Sequence, residues 1–134
     1  MFEGISWLGV VAAVVASFVL GWIWYTYLFR DAWMRGIGLD PTRTPPGDPG
    51  LALLIQLVAT IVTAVVLAIV IERFGSGPLN GLVVGLLVSA GFVATAKLAD
   101  LVFSRRLTTG VYYIETANQL ASYALMGLVY GLFA

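Results

Sequence analysis

The chain alternates between long uncharged stretches and short polar links. Residues 4–29, 49–71, 74–96 and 116–134 contain no Asp, Glu, Lys or Arg, and the last two stretches extend through isolated charges to about Phe103 and back to about Gly110. A helix needs about 20 mainly apolar residues to cross a bilayer, and these stretches lack the alternation of a β-barrel. The pattern predicts transmembrane helices near residues 5–29, 50–71, 78–102 and 110–133.

The composition agrees with a membrane protein. Hydrophobic residues make up 60% of the 134 residues and charged residues 10%, and the mean hydropathy is +0.98. A soluble protein is usually about 45–50% apolar and about 25% charged. We therefore expect an all-α fold with one domain over residues 1–134. It is predicted to be a polytopic integral membrane four-helix bundle made of two antiparallel transmembrane hairpins.

The positive charges predict an orientation. Residues 30–49 are rich in Pro and Gly, which predicts an irregular loop, and they contain Arg30, Arg35 and Arg43. The third link holds Arg105 and Arg106, whereas the second holds only Arg73. Cytoplasmic loops carry an excess of Lys and Arg. The first and third links are therefore predicted to be cytoplasmic, with both termini outside.

Aromatic residues cluster at the end of the first predicted helix. Trp and Tyr are enriched where a helix meets the membrane–water interface. We therefore interpret four residues as an interfacial belt: Trp22, Trp24, Tyr25 and Trp33.

Small residues recur at helical spacing and predict close helix packing. Lipid gives little hydrophobic drive for helix association, so small residues that let backbones approach are favoured at helix interfaces. The predicted packing residues are Gly9, Ala13, Ser17, Gly21, Gly81, Gly85, Ser89, Gly127 and Gly131. The spacing does not reveal which contacts lie within one chain and which join subunits.

Polar residues inside the predicted spans form a candidate site. Lys97 and Glu115 lie nine residues before and after position 106, so an antiparallel pair of helices places them at one depth, with Asp100 on the face of Lys97. Asn118, Gln119 and Ser122 continue from Glu115 along one helix face. With Gln56, Thr60 and Thr63 they could line a polar cavity open to the cytoplasm. The alternative is that these groups only hold neighbouring helices together.

The residue inventory excludes several chemistries. The chain has no Cys and no His, which excludes disulfides, Cys/His zinc sites and a histidine base. No catalytic, metal or cofactor motif is present, so we expect no cofactor and no enzymatic activity. The net charge is zero, without a basic patch, which argues against nucleic-acid binding.

The motifs of the chain resemble a bacterial membrane family of unknown function, domain of unknown function 1761 (DUF1761). In the first half they are Gly21-Trp-Ile-Trp-Tyr25, Leu28-Phe29 and Ala32-Trp-Met34. In the second half they are Gly81-x-x-x-Gly85, Gly91-Phe-Val93, Phe103 and Leu125-Met-Gly127 with Gly131. Many relatives carry a Tyr-His pair where this chain has Asn118-Gln119. The resemblance implies a four-helix protein of the bacterial inner membrane and no assigned reaction.

Three functions remain open from the sequence. The first is a structural or accessory membrane component, a homo-oligomer in contact with membrane lipids and a possible membrane-protein partner. The second is a small channel or transporter whose polar pathway is lined by the fourth helix at a subunit interface. The third is a membrane enzyme that acts on a lipid-like substrate.

Overall fold

The protein is described by a computed structural model over residues 2–38, 49–75, 77–103 and 109–134. These residues are almost entirely helical and contain no strand. The α-helices are α1 (Trp7–Ile23), α2 (Arg30–Gly36), α3 (Pro49–Phe74), α4 (Pro78–Val88), α5 (Thr95–Phe103) and α6 (Thr109–Phe133). Wider π-helical turns follow α1 at Trp24–Leu28 and connect α4 to α5 at Ser89–Ala94.

Three of the helical segments are long and apolar enough to cross a membrane. They are Trp7–Leu28, Gly50–Phe74 and Pro78–Phe103, the last of which runs through α4, the π-helical turn and α5. The fourth predicted span corresponds to α6, which has 25 residues but does not belong to this set. The three apolar segments are therefore compatible with a membrane protein. Among the long helices of the chain, α6 is the most polar.

The predicted loop 30–49 is wrong over its first residues, because Arg30–Gly36 form α2. The chain turns at Phe29, whose backbone N–H donates to the Trp24 carbonyl oxygen at 2.9 Å. The Pro-rich part begins only after Gly38, so the sequence of α2 has no helix breaker before its last residue. The helix buries Met34, which is 3% exposed. Residues 39–48 of the predicted loop lie outside the described residues.

The turn between α3 and α4 depends on glycine. Gly75 and Gly77 have φ angles of 119° and 106°, values that a residue with a side chain rarely adopts. The Gly75 N–H donates to the Ile71 carbonyl oxygen at 3.0 Å, which satisfies one of the last carbonyls of α3. This short connection brings the start of α4 next to the end of α3.

The closest helix contact joins α4 and α6. A Cβ atom added at Gly81 would overlap the backbone carbonyl of Gly127, and one added at Gly85 would overlap the carbonyl of Tyr123. Gly131 lies in the same way against the carbonyl of Gly77. Residue numbers rise along α6 as they fall along α4, so the two helices are antiparallel. We name these three approaches the glycine contact.

Three of the four predicted packing residues of α1 are also in contact with other parts of the same chain. A Cβ atom at Gly9 would meet the side chains of Tyr130 and Phe133, and Ala13 is only 1% exposed. Ser17 and Ser122 form a hydrogen bond at 2.6 Å that joins α1 to α6. Gly21 is different, because no atom lies within 4 Å of a Cβ placed there.

An apolar core fills the end of the bundle where α3 finishes. Buried side chains come from the segment before α1 and its first half, the second half of α3 and the end of α6, with Val84 from α4; they are Ile5, Val10, Ala13, Val14, Ala64, Leu67, Ala68, Ile71, Val84, Met126 and Tyr130.

The hydroxyl of Tyr130 is the polar centre of that core. It donates to Glu72 Oε1 at 2.7 Å and accepts from the Ser6 backbone N–H at 3.1 Å. One side chain of α6 thereby joins the end of α3 to the segment before α1.

The glycine contact generates a prediction about stability. Gly81→Ala should lower the free energy of unfolding by about 1–3 kcal/mol, because the added methyl group must push the two backbones apart. The measurement is thermal or denaturant unfolding of the purified protein in detergent micelles.

Gly91→Ala is the matched control, since Gly91 lies in the same long segment with nothing within 4 Å of its Cβ position. It should be neutral or stabilise by up to about 1 kcal/mol through helix propensity. Equal losses from both variants would contradict the glycine contact.

Candidate functional site

Lys97 and Glu115 form an ion pair between α5 and α6. Lys97 Nζ lies 2.8 Å from Glu115 Oε2, and the two side chains are 25% and 18% exposed. The other carboxylate oxygen, Glu115 Oε1, accepts a hydrogen bond from Trp33 Nε1 at 3.0 Å. We call these three residues the charged cluster. Both oxygens of the carboxylate are satisfied, which a partly buried charge requires.

Two tryptophans of the predicted interfacial belt donate to α6. Trp24 Nε1 donates to the Ile114 carbonyl oxygen at 3.2 Å, one residue before the Glu115 that Trp33 binds. Tyr25 packs edge-on against Trp33, with ring centroids 5.2 Å apart. Trp22 alone is mainly exposed, at 58%. Most of these aromatic residues therefore attach the end of α1 and α2 to α6.

Asp100 lies one turn beyond Lys97 on α5 and is exposed. The ion pair of Lys97 that the structure describes is made with Glu115 from the neighbouring helix. Ser89, a predicted packing residue, is fully buried and donates to the Gly85 carbonyl oxygen of its own helix at 2.8 Å.

A cleft of about 520 Å³ lies between α1, α3 and α6, next to the charged cluster. Its wall includes apolar and aromatic side chains such as Phe18, Trp22, Tyr123 and Met126. The remaining side chains of the wall that can form hydrogen bonds are Ser17, Tyr25, Thr26, Gln56, Thr60, Thr63, Asn118, Gln119 and Ser122. We name it the polar cleft. None of the described residues that line it is charged.

The sequence predicts that the polar stripes of the second and fourth predicted helices face a common cavity. The polar cleft brings together both stripes: Gln56, Thr60 and Thr63 from α3, and Asn118, Gln119 and Ser122 from α6. Glu115 is the exception, since it lies one turn before Asn118 and belongs to the charged cluster.

The α3 side of the cleft is internally bonded. Thr60 donates from its hydroxyl to the Gln56 carbonyl oxygen at 2.8 Å and accepts from Gln56 Nε2 at 3.1 Å. Thr63 donates to the Ala59 carbonyl oxygen at 2.9 Å. These hydroxyl groups need no partner from another helix, because their own helix supplies one.

Asn118 is a buried polar side chain of the cleft. It is 8% exposed, lines the cleft and lies beside Tyr25. Its Oδ1 atom is itself buried and has no hydrogen-bond partner among the residues that the structure describes. A buried acceptor without a donor costs about 1–3 kcal/mol.

A model of the family DUF1761, proteins of unknown function, matches residues 8–131. The chain belongs to the DUF1761 family. Neither a curated protein nor a solved structure matches the chain. The match covers all six helices almost completely, so the charged cluster and the polar cleft of this DUF1761 chain both lie inside the family region.

Among the residues that the structure covers, no group of three or more Asp and Glu side chains could hold a metal ion. The cleft offers hydroxyl, amide and aromatic groups, while in the described ion pair between α5 and α6 each charge has its partner. Such a site can recognise an uncharged molecule, because it would leave the charge of an ion uncompensated.

Two partners in these networks were not predicted from the sequence. The sequence predicts Trp33 as part of the interfacial belt because it lies with other aromatic residues near the end of the first predicted helix, whereas in the structure α2 directs its indole N–H towards Glu115. The Tyr130–Glu72 hydrogen bond joins residues 58 positions apart. Glu72 at the end of an apolar run was the only available signal, and it did not identify the partner.

The charged cluster generates a prediction about coupling. Lys97→Met or Glu115→Gln alone should lower the free energy of unfolding by about 1–3 kcal/mol, a discounted value because both side chains keep some exposure to solvent. The double variant should lose less than the sum of the two, because neither charge is left alone. A double-mutant cycle from unfolding in micelles measures the difference.

Arg30 and Asp31 provide the control for this cycle. Their nitrogen–oxygen distance is 3.2 Å, but the side chains are 41% and 64% exposed. Exposed pairs contribute about 0–1 kcal/mol, so Asp31→Asn should have little effect. A coupling energy for Lys97 and Glu115 no larger than that of the exposed pair would contradict the cluster.

Proposed function

We propose that this protein is a four-span integral protein of the bacterial cytoplasmic membrane, with α6 as the fourth span. Three helices have the required length and apolar composition, and α6 has 25 residues and packs among them. A helix surrounded by other helices can carry polar groups that lipid would exclude. The proposed bundle consists of two antiparallel hairpins.

The proposed orientation places α2 and the charged cluster at the cytoplasmic end, with both termini outside. Arg30, Arg35 and Lys97 lie at that end, and Arg73 lies at the opposite end of α3. This distribution supports the orientation through the positive-inside rule. Arg43, Arg105 and Arg106 belong to the same side in the sequence but lie outside the described residues.

We infer that the protein belongs to the small-transporter class, with the polar cleft as the site for an uncharged molecule. The observation that carries this inference is the cleft itself, whose described lining is hydrogen-bonding and aromatic without a single charge. The sequence places the pathway at a subunit interface, whereas the described walls of the cleft come from α1, the π-helical turn after it, α3 and α6 of one chain.

The polar cleft and the apolar core occupy opposite halves of the bundle. This arrangement supports a cleft that opens towards one side of the membrane. The cleft is lined by residues 17–26, 53–63 and 118–126, whereas the apolar core involves residues 5–14, 64–71 and 126–130, together with Val84. Residues 51–59 of α3 are exposed throughout. In the proposed orientation the cleft faces the cytoplasmic half, and the core with the Tyr130–Glu72 hydrogen bond closes the outer half.

The accessory and enzymatic functions stay predictions. The small residues Gly9, Gly81, Gly85, Gly127 and Gly131 lie in contacts within one chain, so they give no support to subunit contacts. A homo-oligomer would use the exposed apolar faces of α3 and α4 instead. No described arrangement favours a lipid-directed reaction over simple binding.

A cysteine-accessibility experiment tests the transport proposal, and the natural chain is already free of Cys. Gln56→Cys places a thiol in the polar cleft. We expect a membrane-impermeant thiol reagent to label it rapidly in inside-out vesicles and slowly in right-side-out vesicles, because a carrier exposes its site to each side in turn. Labelling is read by a mass shift.

Two controls interpret the labelling. Ile55→Cys is the first control. Ile55 is next to Gln56 in the sequence, but its side chain is 60% exposed on the outer face of the bundle, where lipid should keep the reagent away. Ala68→Cys lies in the core at 0% exposure and should not react. Labelling of Gln56→Cys from the cytoplasmic side alone would reduce the cleft to a one-sided pocket and overturn transport, as would the absence of labelling from both sides.

A further inference from the structure

We propose that a recess between the π-helical turn after α1 and helix α2 binds the headgroup of an anionic phospholipid, whose phosphate lies on Arg30 and Arg35. The recess has a volume of about 460 Å³, and we name it the arginine recess. The residues of its lining that carry the argument are Thr26, Tyr27, Leu28, Arg30, Asp31 and Arg35. The proposal rests on the membrane location and orientation given in the proposed function, but not on transport.

The attachment of α2 to the bundle fixes the wall of the arginine recess. Trp33 donates to Glu115 on α6, and Met34 is buried at 3% exposure. Asp31 and Arg35 are exposed and lie four residues apart, so they share the opposite face of this helix. Because its inner face is anchored, α2 presents this charged face to the recess in one orientation.

The arginine recess has an excess of positive charge. Two arginines and one aspartate line it, which leaves a net charge of one positive unit. Arg30 Nη1 donates to Asp31 Oδ1 at 3.2 Å, so the carboxylate already has its partner. The ion pairs between described residues do not include Arg35. A guanidinium group has a planar fork of N–H donors that matches a phosphate, and a phosphodiester carries the single negative charge that balances the recess.

The rim of the arginine recess continues into an apolar surface, which favours a lipid over a free anion. Tyr27 and Leu28 line the recess and are 66% and 60% exposed. The ring of Trp22 packs edge-on against Tyr27, with ring centroids 5.2 Å apart. Trp and Tyr lie at the level of the headgroups in a bilayer. The arginines beside them therefore lie at the depth of the lipid phosphates, and Leu28 can contact the acyl chain of the same molecule.

The charges of the recess select an anionic headgroup over a zwitterionic one. The ammonium group of a zwitterionic lipid needs a carboxylate, but Asp31 is already paired with Arg30. The cytoplasmic leaflet contains anionic lipids and attracts basic residues, and the proposed orientation places α2 on that side. Each arginine near an anionic lipid surface contributes a factor of about five in binding.

The test measures which lipid the purified and delipidated wild-type protein retains from detergent micelles. The micelles contain equal amounts of dioleoylphosphatidylglycerol and dioleoylphosphatidylcholine, which have the same acyl chains and a phosphate each but differ in net charge. Gel filtration removes unbound lipid, and mass spectrometry counts the lipid that stays with the protein. Wild type should retain phosphatidylglycerol with a preference of about tenfold, because two arginines face one phosphate.

Two variants should shift this preference in opposite directions. Arg35→Gln removes one positive charge from the recess and should lower the preference about fivefold. Asp31→Asn removes the negative charge and frees Arg30, so it should raise the preference. Both side chains are exposed, so neither change affects the core. Arg73→Gln is the matched control, because it changes the total charge equally at the far end of α3 and should keep the full preference.

The outcomes separate the lipid site from its alternatives. Equal retention of the two lipids by wild type would overturn the proposal. Equal losses from Arg35→Gln and Arg73→Gln would also overturn it, because the total charge and not the recess would then attract the lipid. Inorganic phosphate at the concentration of the lipid should displace none of it, and displacement would show that the recess takes a free anion. These results do not depend on the labelling of Gln56→Cys, so the lipid site and transport can fail separately.

Discussion

The backbone-to-backbone approach of α4 and α6 is the constraint on which the remaining structure depends. At Gly81, Gly85 and Gly127 the two helices lie so close that no side chain fits between them. In a bilayer such contact replaces the hydrophobic effect as the source of helix association, because apolar surface gains little by leaving lipid. The glycine contact fixes the axis of α6, and every other helix is arranged around that axis.

The central position of α6 explains why the most polar long helix of the chain can belong to an apolar protein. Its polar side chains meet groups from other helices: Ser122 meets Ser17, Glu115 meets Lys97, and Tyr130 meets Glu72. Each of these polar side chains would be unfavourable in contact with lipid, but is stabilised by its partner on another helix. The outward surface is left to the apolar faces of α1, α3 and the α4–α5 segment.

Packing differs between the two ends of the bundle, and this difference leaves a cleft at one of them. One end is filled by the apolar core, with the Tyr130 hydroxyl satisfied from both sides. At the other end α3 is exposed over residues 51–59, and the space between α1, α3 and α6 remains as the polar cleft. The charged cluster holds α2 and α5 to α6 beside that cleft. The wall of the cleft is therefore positioned by charged residues that lie outside the cleft.

The sequence by itself determined the four long helical segments, because the length of an apolar run and the position of Gly and Pro act locally. The symmetry of a helical hairpin is enough to predict that Lys97 and Glu115 lie at the same depth. Helical periodicity is enough to predict that the polar residues from Asn118 to Ser122 share one helix face. Only the tertiary structure decided that α2 is helical, that Trp33 binds Glu115, and that the glycines of α4 meet those of α6. Those outcomes depend on which faces of distant helices come into contact, and periodicity along one chain segment contains no information about the partner of a face.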